Sequence, residues 1–133
     1  MKLEHIGIAV KDLSQSNALF ELLFGEAPYK TETVTSEKVS TSFFQTGDTK
    51  IELLEATHKD SPIAKFIEKR GEGIHHIAFE VADIHAAMQE MKGKGFQLLS
   101  DTPRKGADNK LVCFIHPKSA NGVLVEICQT IKS

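Results

Sequence analysis

Along the chain, apolar positions alternate at two periods, and the order in which the periods follow one another is repeated. From His5 to Val10 the residues Ile6, Ile8 and Val10 alternate with His5, Gly7 and Ala9, the period of a strand whose successive side chains point to opposite faces. A helical period follows over Leu13, Ala18, Leu19, Leu22 and Leu23. Asp12 stands at its N-cap with Gln15 three residues on, a capping-box arrangement, and Gly25 stops it. Extended segments come next, Val39 to Phe44 and Lys50 to Leu54, joined by a turn at Gly47-Asp48.

The second half runs through the same series. His76-Ile-Ala-Phe-Glu-Val-Ala-Asp-Ile84 aligns with His5-Ile-Gly-Ile-Ala-Val-Lys-Asp-Leu13, 71 residues earlier. After Asp83 a helical period over Ile84, Ala87, Met88 and Met91 ends near Gly93 and Gly95, and extended segments follow at Leu111 to Ile115 and Gly122 to Ile127. A turn at Ser119-Ala120-Asn121-Gly122 separates the last two. Each half therefore reads as a strand, a helix and further strands. Between them, Ser61 as N-cap, Pro62 at the first helical position and Gly71 past the end mark a short connector helix. The chain, 1–133, is expected to be a single domain of two repeat modules, 1–57 and 73–133, joined by a connector at 58–72. Arg104 to Lys110 is polar throughout and reads as a mobile surface loop.

Length and composition narrow the possibilities. With 133 residues, 41% hydrophobic and 26% charged, the chain suits one globular domain and leaves no room for a second. A net charge of −2 with no basic stripe argues against a nucleic-acid partner. No apolar stretch approaches a bilayer span, and an acidic residue in Met1-Lys-Leu-Glu-His5 interrupts what a signal peptide needs. Cys113 and Cys128 lie in apolar runs and are expected to pack as reduced thiols, which suits the cytoplasm.

The chemistry sits in the repeat. Period-2 geometry places His5 with Gly7 and Ala9, and places His76, not His75, with Ala78 and Glu80, so His76 is the counterpart of His5. The last strand of each half carries one carboxylate in an apolar run: Glu52 in Ile51-Glu-Leu-Leu54 and Glu126 in Val123-Leu-Val-Glu-Ile127, 74 residues apart. A carboxylate inside an apolar strand is costly unless something neutralises it, which a divalent cation does most completely. His5, Glu52, His76 and Glu126 thus form a candidate nitrogen and oxygen donor set suited to Zn²⁺, Co²⁺, Ni²⁺, Fe²⁺ or Mn²⁺. A lone strand histidine is more often a hydrogen-bonded structural residue, and a lone strand glutamate more often solvated; recurrence at matched positions is what favours the metal. His58 and His85 read as exposed, and His116 as a turn or ligand-contact residue rather than a metal ligand.

These residues resemble the vicinal oxygen chelate superfamily, and within it the methylmalonyl-CoA epimerase family. The first stretch, His5-Ile-Gly-Ile-Ala-Val with Asp12-Leu13, is common to the superfamily. Asp60-Ser-Pro-Ile-Ala-Lys-Phe66 running to Gly73-Ile-His-His-Ile-Ala78, and His116-Pro-Lys-Ser119 leading to Gly122-Val-Leu-Val-Glu126, are epimerase-like. The resemblance implies an α+β fold of two paired βαβββ modules forming a curved mixed sheet around a metal cleft. It also implies a homodimer, one divalent metal held by His5, Glu52, His76 and Glu126, with Co²⁺ the first to assay, and an acyl-CoA thioester as substrate. The implied reaction interconverts the 2R and 2S forms of methylmalonyl-CoA through an enolate, linking propionyl-CoA carboxylation to the mutase. Glu126 is then one base. Some epimerases place a second Glu in the strand that here reads Val39-Ser-Thr-Ser-Phe-Phe44; no carboxylate stands there and Glu37 precedes it, so either Glu52 serves, or a metal-bound water or a hydroxyl side chain relays the proton, or the two-base description does not hold for this chain. Arg104, Lys110 and Lys118 are candidates to meet the phosphates of the acyl carrier, each against the reading of a solvated surface charge.

Three rivals share parts of this pattern. Glyoxalase I uses a similar His and Glu set on a glutathione hemithioacetal but lacks the two epimerase-like stretches. A small-molecule binding or resistance protein of the same fold lacks the ligands. A ring-cleaving dioxygenase holds Fe²⁺ with two His and one Glu but is usually longer.

Overall fold

A computed structural model describes residues 1–132. It divides into two compact units: His5–His75, and the residues from His76 onward together with Met1–Glu4. The first holds β1 (Lys2–Ala9) from His5 onward, α1 (Leu13–Phe24), β2 (Lys30–Val34), β3 (Val39–Thr46), β4 (Thr49–Ala56) and α2 (Pro62–Arg70). Its strands are ordered β2-β3-β4-β1. β1 runs parallel to β4 and the other neighbours are antiparallel. The second unit repeats the plan with β5 (Gly73–Glu80) from His76 onward, α3 (Ile84–Gly93), β6 (Arg104–Lys105), β7 (Lys110–Ile115) and β8 (Val125–Thr130). Here β5 is parallel to β8, and β8-β7-β6 is antiparallel. This is the α+β fold of two βαβββ modules.

The helix termini follow from local chemistry. Asp12 accepts from the Gln15 N–H at 3.0 Å and Asp83 from the Ala86 N–H at 3.1 Å, each satisfying a donor that the first turn leaves open. The repeat goes further. Leu13 N–H donates to Glu55 at 3.0 Å, and Ile84 N–H donates to Gln129 at 2.8 Å, so the last strand of each module also holds the start of its helix. Ser61, fully buried, accepts from the Ile63 N–H, Pro62 follows it, and Gly71 ends α2 at φ 75°, a conformation that costs glycine little.

Each helix covers one face of its own sheet. In the first unit Val10, Leu13, Phe44 and Leu53 pack with Ile8, Ile51, Phe20 and Phe24, and the Phe20, Phe24 and Phe44 rings lie 5.4–6.3 Å apart. On the other face α2 seats Ile63 against Ala9 and Leu54. In the second unit Ile84 and Met88 pack on Cys113, Ile115 and Ile127. Both thiols are buried and unbridged, as expected. Burial, with the negative charge of Glu126 second, pushes the Cys113 thiol up to about 11 and the Cys128 thiol higher still.

Two features were not read from the sequence, and two expectations need correction. The helical period over Ala18, Leu19, Leu22 and Leu23 marks the outer face of α1: the three leucines are 63%, 84% and 70% exposed, because the bulkier Phe20 and Phe24 reach the core with Leu13 from the opposite side. β2 was invisible to an apolar pattern because its sequence, Lys-Thr-Glu-Thr-Val, alternates half-buried and exposed positions at the end of the strand order. Arg104 to Lys110 is a hairpin, not a loop: β6 pairs with β7, Asp108 and Asn109 turn it at φ 57° and 56°, and Lys110 is buried. β8 begins at Val125, since Asn121 and Gly122 spend the preceding residues on a left-handed turn. No helix among the described residues is long and apolar enough to cross a membrane.

Candidate metal and catalytic site

The parallel pairing of first and last strands in each module brings its histidine beside its glutamate. In the first, Gly7 lies opposite Glu52, and His5, two residues earlier on the same face, sets Nδ1 3.1 Å from Glu52 Oε2. In the second, Ala78 lies opposite Glu126, and His76 sets Nε2 3.3 Å from Glu126 Oε1. The residues opposite the two carboxylates, Gly7 and Ala78, are both small. All four side chains are nearly dry: His5 is 4% exposed, Glu52 5%, His76 6% and Glu126 5%. Glu52 is therefore no solvated strand residue. His75 faces the other way, half-buried and edge-on to Phe66 of α2 at 5.0 Å, which separates its role from that of His76.

Imidazole nitrogen beside a dehydrated carboxylate oxygen, twice over, is a donor chemistry that suits a divalent transition cation. Binding requires the neutral imidazole and the ionised carboxylate. A carboxylate this buried is stabilised by a cation far more than by a neutral ring.

Around each pair lie residues that the sequence reading passed over. Phe43 on β3 is the register partner of Glu52, and Phe114 on β7 is that of Glu126. A cation covers each ring: Lys30 Nζ is 5.1 Å from the Phe43 centroid, and the Arg104 guanidinium is 5.8 Å from that of Phe114. The two phenylalanines are spaced by the same 71 residues as the histidines, so the repeat itself held the signal. Further along the second module, Lys110 donates to Thr130 Oγ1 at 2.7 Å and to Glu80 at 3.5 Å, with Glu4 at 3.9 Å, while the Thr130 hydroxyl donates to Glu80 at 2.7 Å. Lys110 is thereby removed from the candidates for carrier phosphates: its charge is buried and shared by two carboxylates. Lys118 and Arg104 are exposed. His116 caps the 3-10 turn Pro117–Ser119 by accepting from the Lys118 N–H, as a turn residue, and His58 and His85 are exposed.

Residues 4–114 match the model of the glyoxalase/bleomycin resistance protein/dioxygenase superfamily. The ethylmalonyl-CoA/methylmalonyl-CoA epimerase of Cereibacter sphaeroides is 42% identical over 130 residues, 96% of this chain and 97% of its own. The chain belongs to this superfamily, among its methylmalonyl-CoA epimerases. The human mitochondrial methylmalonyl-CoA epimerase is 40% identical over 129 residues, 96% of this chain and 73% of its own length. A Streptomyces coelicolor methylmalonyl-CoA epimerase variant, solved in complex with 2-nitronate-propionyl-CoA, superposes with a TM-score of 0.92 at 34% identity, covering 99% of each chain. The family relationship spans both modules and both His–Glu pairs.

Proposed function

We propose that this chain interconverts the 2R and 2S forms of methylmalonyl-CoA by proton transfer at C2, with His5, Glu52, His76 and Glu126 together holding one divalent cation. The observation that carries the reading is the buried His–Glu pair present once in each module of a chain from the epimerase family. When bound, the cation supplies Lewis-acid stabilisation for charge that develops on the thioester oxygen. Glu126 removes the C2 proton on one face of the acyl group, and Glu52, its counterpart in the other module, returns a proton on the opposite face. The enolate between the two transfers has lost its configuration at C2, so either hand can form. Glyoxalase chemistry is not favoured, because the relatives are epimerases.

The proposal extends to setting. Such an activity stands between the carboxylation of propionyl-CoA and the mutase that consumes one epimer. Two buried, unbridged thiols suit the cytoplasm. A homodimer is supported by α1, whose exposed Leu19, Leu22 and Leu23 stand where α3 carries Glu90, Gly93 and Lys94, the first and last joined by a 2.8 Å ion pair. The same helix position is thus apolar in one copy of the repeat and charged in the other, the contrast expected where only one meets a partner.

Deuterium incorporation from solvent at C2 of methylmalonyl-CoA, followed by NMR, tests the activity. Exchange above the protein-free baseline is expected with Co²⁺ or Mn²⁺ present and is lost on chelation. Baseline exchange in every metal state would overturn the function.

A further inference from the structure

Beyond the His–Glu pair, the face of the second module that bears it ends in a positive charge. Across neighbouring strands this face carries His76 and Ala78 on β5, Glu126 on β8, Phe114 on β7 and Arg104 on the outermost strand, β6. Phe114 meets the His76 ring edge-on at 6.0 Å. Arg104, although exposed, turns its guanidinium back over Phe114, toward the buried pair rather than away from the sheet. The matching row of the first module, Gly7, Glu52, Phe43 and Lys30, ends in an ammonium that also pairs with Glu32 at 3.3 Å.

We propose that Arg104 is a specificity-determining residue that reads the free carboxylate of the acyl group. The inference rests on the epimerase reading and names the group that tells its substrate class from neutral acyl thioesters. If Glu126 takes the proton from C2, the acyl carboxylate, bonded to that same carbon, lies within one side chain's width of the proton's destination. On this face Arg104 stands opposite Val112 and lays its guanidinium over Phe114, the register partner of Glu126, whereas Lys110 is committed to Glu4 and Glu80. The chemistry fits a carboxylate. A guanidinium offers parallel donors that match two carboxylate oxygens, which an ammonium does not. Lying over the Phe114 ring at 5.8 Å narrows the positions the guanidinium takes, so less freedom is lost when the anion arrives. Phe114 also links recognition to reaction, because the ring that supports the guanidinium packs on His76 and lies opposite Glu126.

A phosphate of the CoA carrier offers the same chemistry, and two ligands separate the sources. Malonyl-CoA and propionyl-CoA have identical phosphates and differ in the acyl carboxylate. Calorimetric titration of the Co²⁺-loaded protein with each is expected to show that Arg104→Gln weakens malonyl-CoA about tenfold or more and leaves propionyl-CoA unchanged. Arg104→Lys is expected to restore part of the loss. With methylmalonyl-CoA the Gln variant should raise KM more than it lowers kcat. Equal weakening of both ligands would assign Arg104 to the phosphates, and no weakening of either would leave it without a ligand; each overturns the proposal. If Arg104→Gln leaves malonyl-CoA affinity intact while wild-type C2 exchange proceeds, the specificity inference fails and the epimerase reading stands. Absent exchange in the wild type overturns both.

Discussion

At the scale of single residues, the adjacent histidines His75 and His76 give the sharpest test of the site. They differ by one position in a strand and so face opposite sides; one packs on Phe66 and the other against Glu126. His76→Ala is expected to abolish stoichiometric metal binding and C2 exchange, measured by elemental analysis and NMR. His75→Ala should keep both, losing only some packing against α2. The reverse result would defeat the assignment made from strand parity. This pair was legible because the repeat supplied a second strand for comparison. Lys110 was not: a lysine in a polar run looks solvated, and its burial depends on Glu80, Thr130 and Glu4, which lie far from it in sequence. Phe43 and Phe114 lay between these cases, present in the repeat but indistinguishable from ordinary core aromatics until strand register placed them opposite the glutamates.

At the scale of elements, caps and glycines marked the helices well because their chemistry is local. Asp12, Ser61 and Asp83 each stand one residue before the helix they start. Which face of α1 turns inward is a tertiary question that leucine spacing does not answer: two phenylalanines bury more apolar area than the leucines and complete an aromatic cluster with Phe44. The consequence is measurable. Leu19→Glu with Leu23→Lys transplants the ion pair of α3 onto α1, so helix content and melting temperature should change little. Sedimentation should report a dimer for the wild type and a monomer for the double variant. A variant that stays dimeric would place the interface elsewhere. Phe44→Ala, which empties the aromatic cluster, is expected to cost about 3–5 kcal/mol in denaturant unfolding; a loss below about 1 kcal/mol would show that the aromatic cluster does not carry the packing of α1 on its sheet.

At the scale of the whole molecule, the repeat raises the question of how many ions a duplicated chain holds. Each module contributes one imidazole and one carboxylate. Two protein ligands are too few for a tightly held transition cation, which takes three or four from protein in catalytic or structural sites. The pooled set of His5, Glu52, His76 and Glu126 meets that number only if both modules serve one ion. The expected stoichiometry is therefore one Co²⁺ or Zn²⁺ per chain, and His5→Ala should lose that whole ion as completely as His76→Ala does, although the two residues belong to different copies of the repeat. The ion should also raise the melting temperature in proportion to the logarithm of its free concentration, since it binds the folded chain. Two ions per chain, or loss of half the metal in either variant, would mean that each module binds its own. Glu126 and Glu52 could not then both flank the same C2 atom, and the two-faced proton transfer would have to be abandoned in favour of a single base.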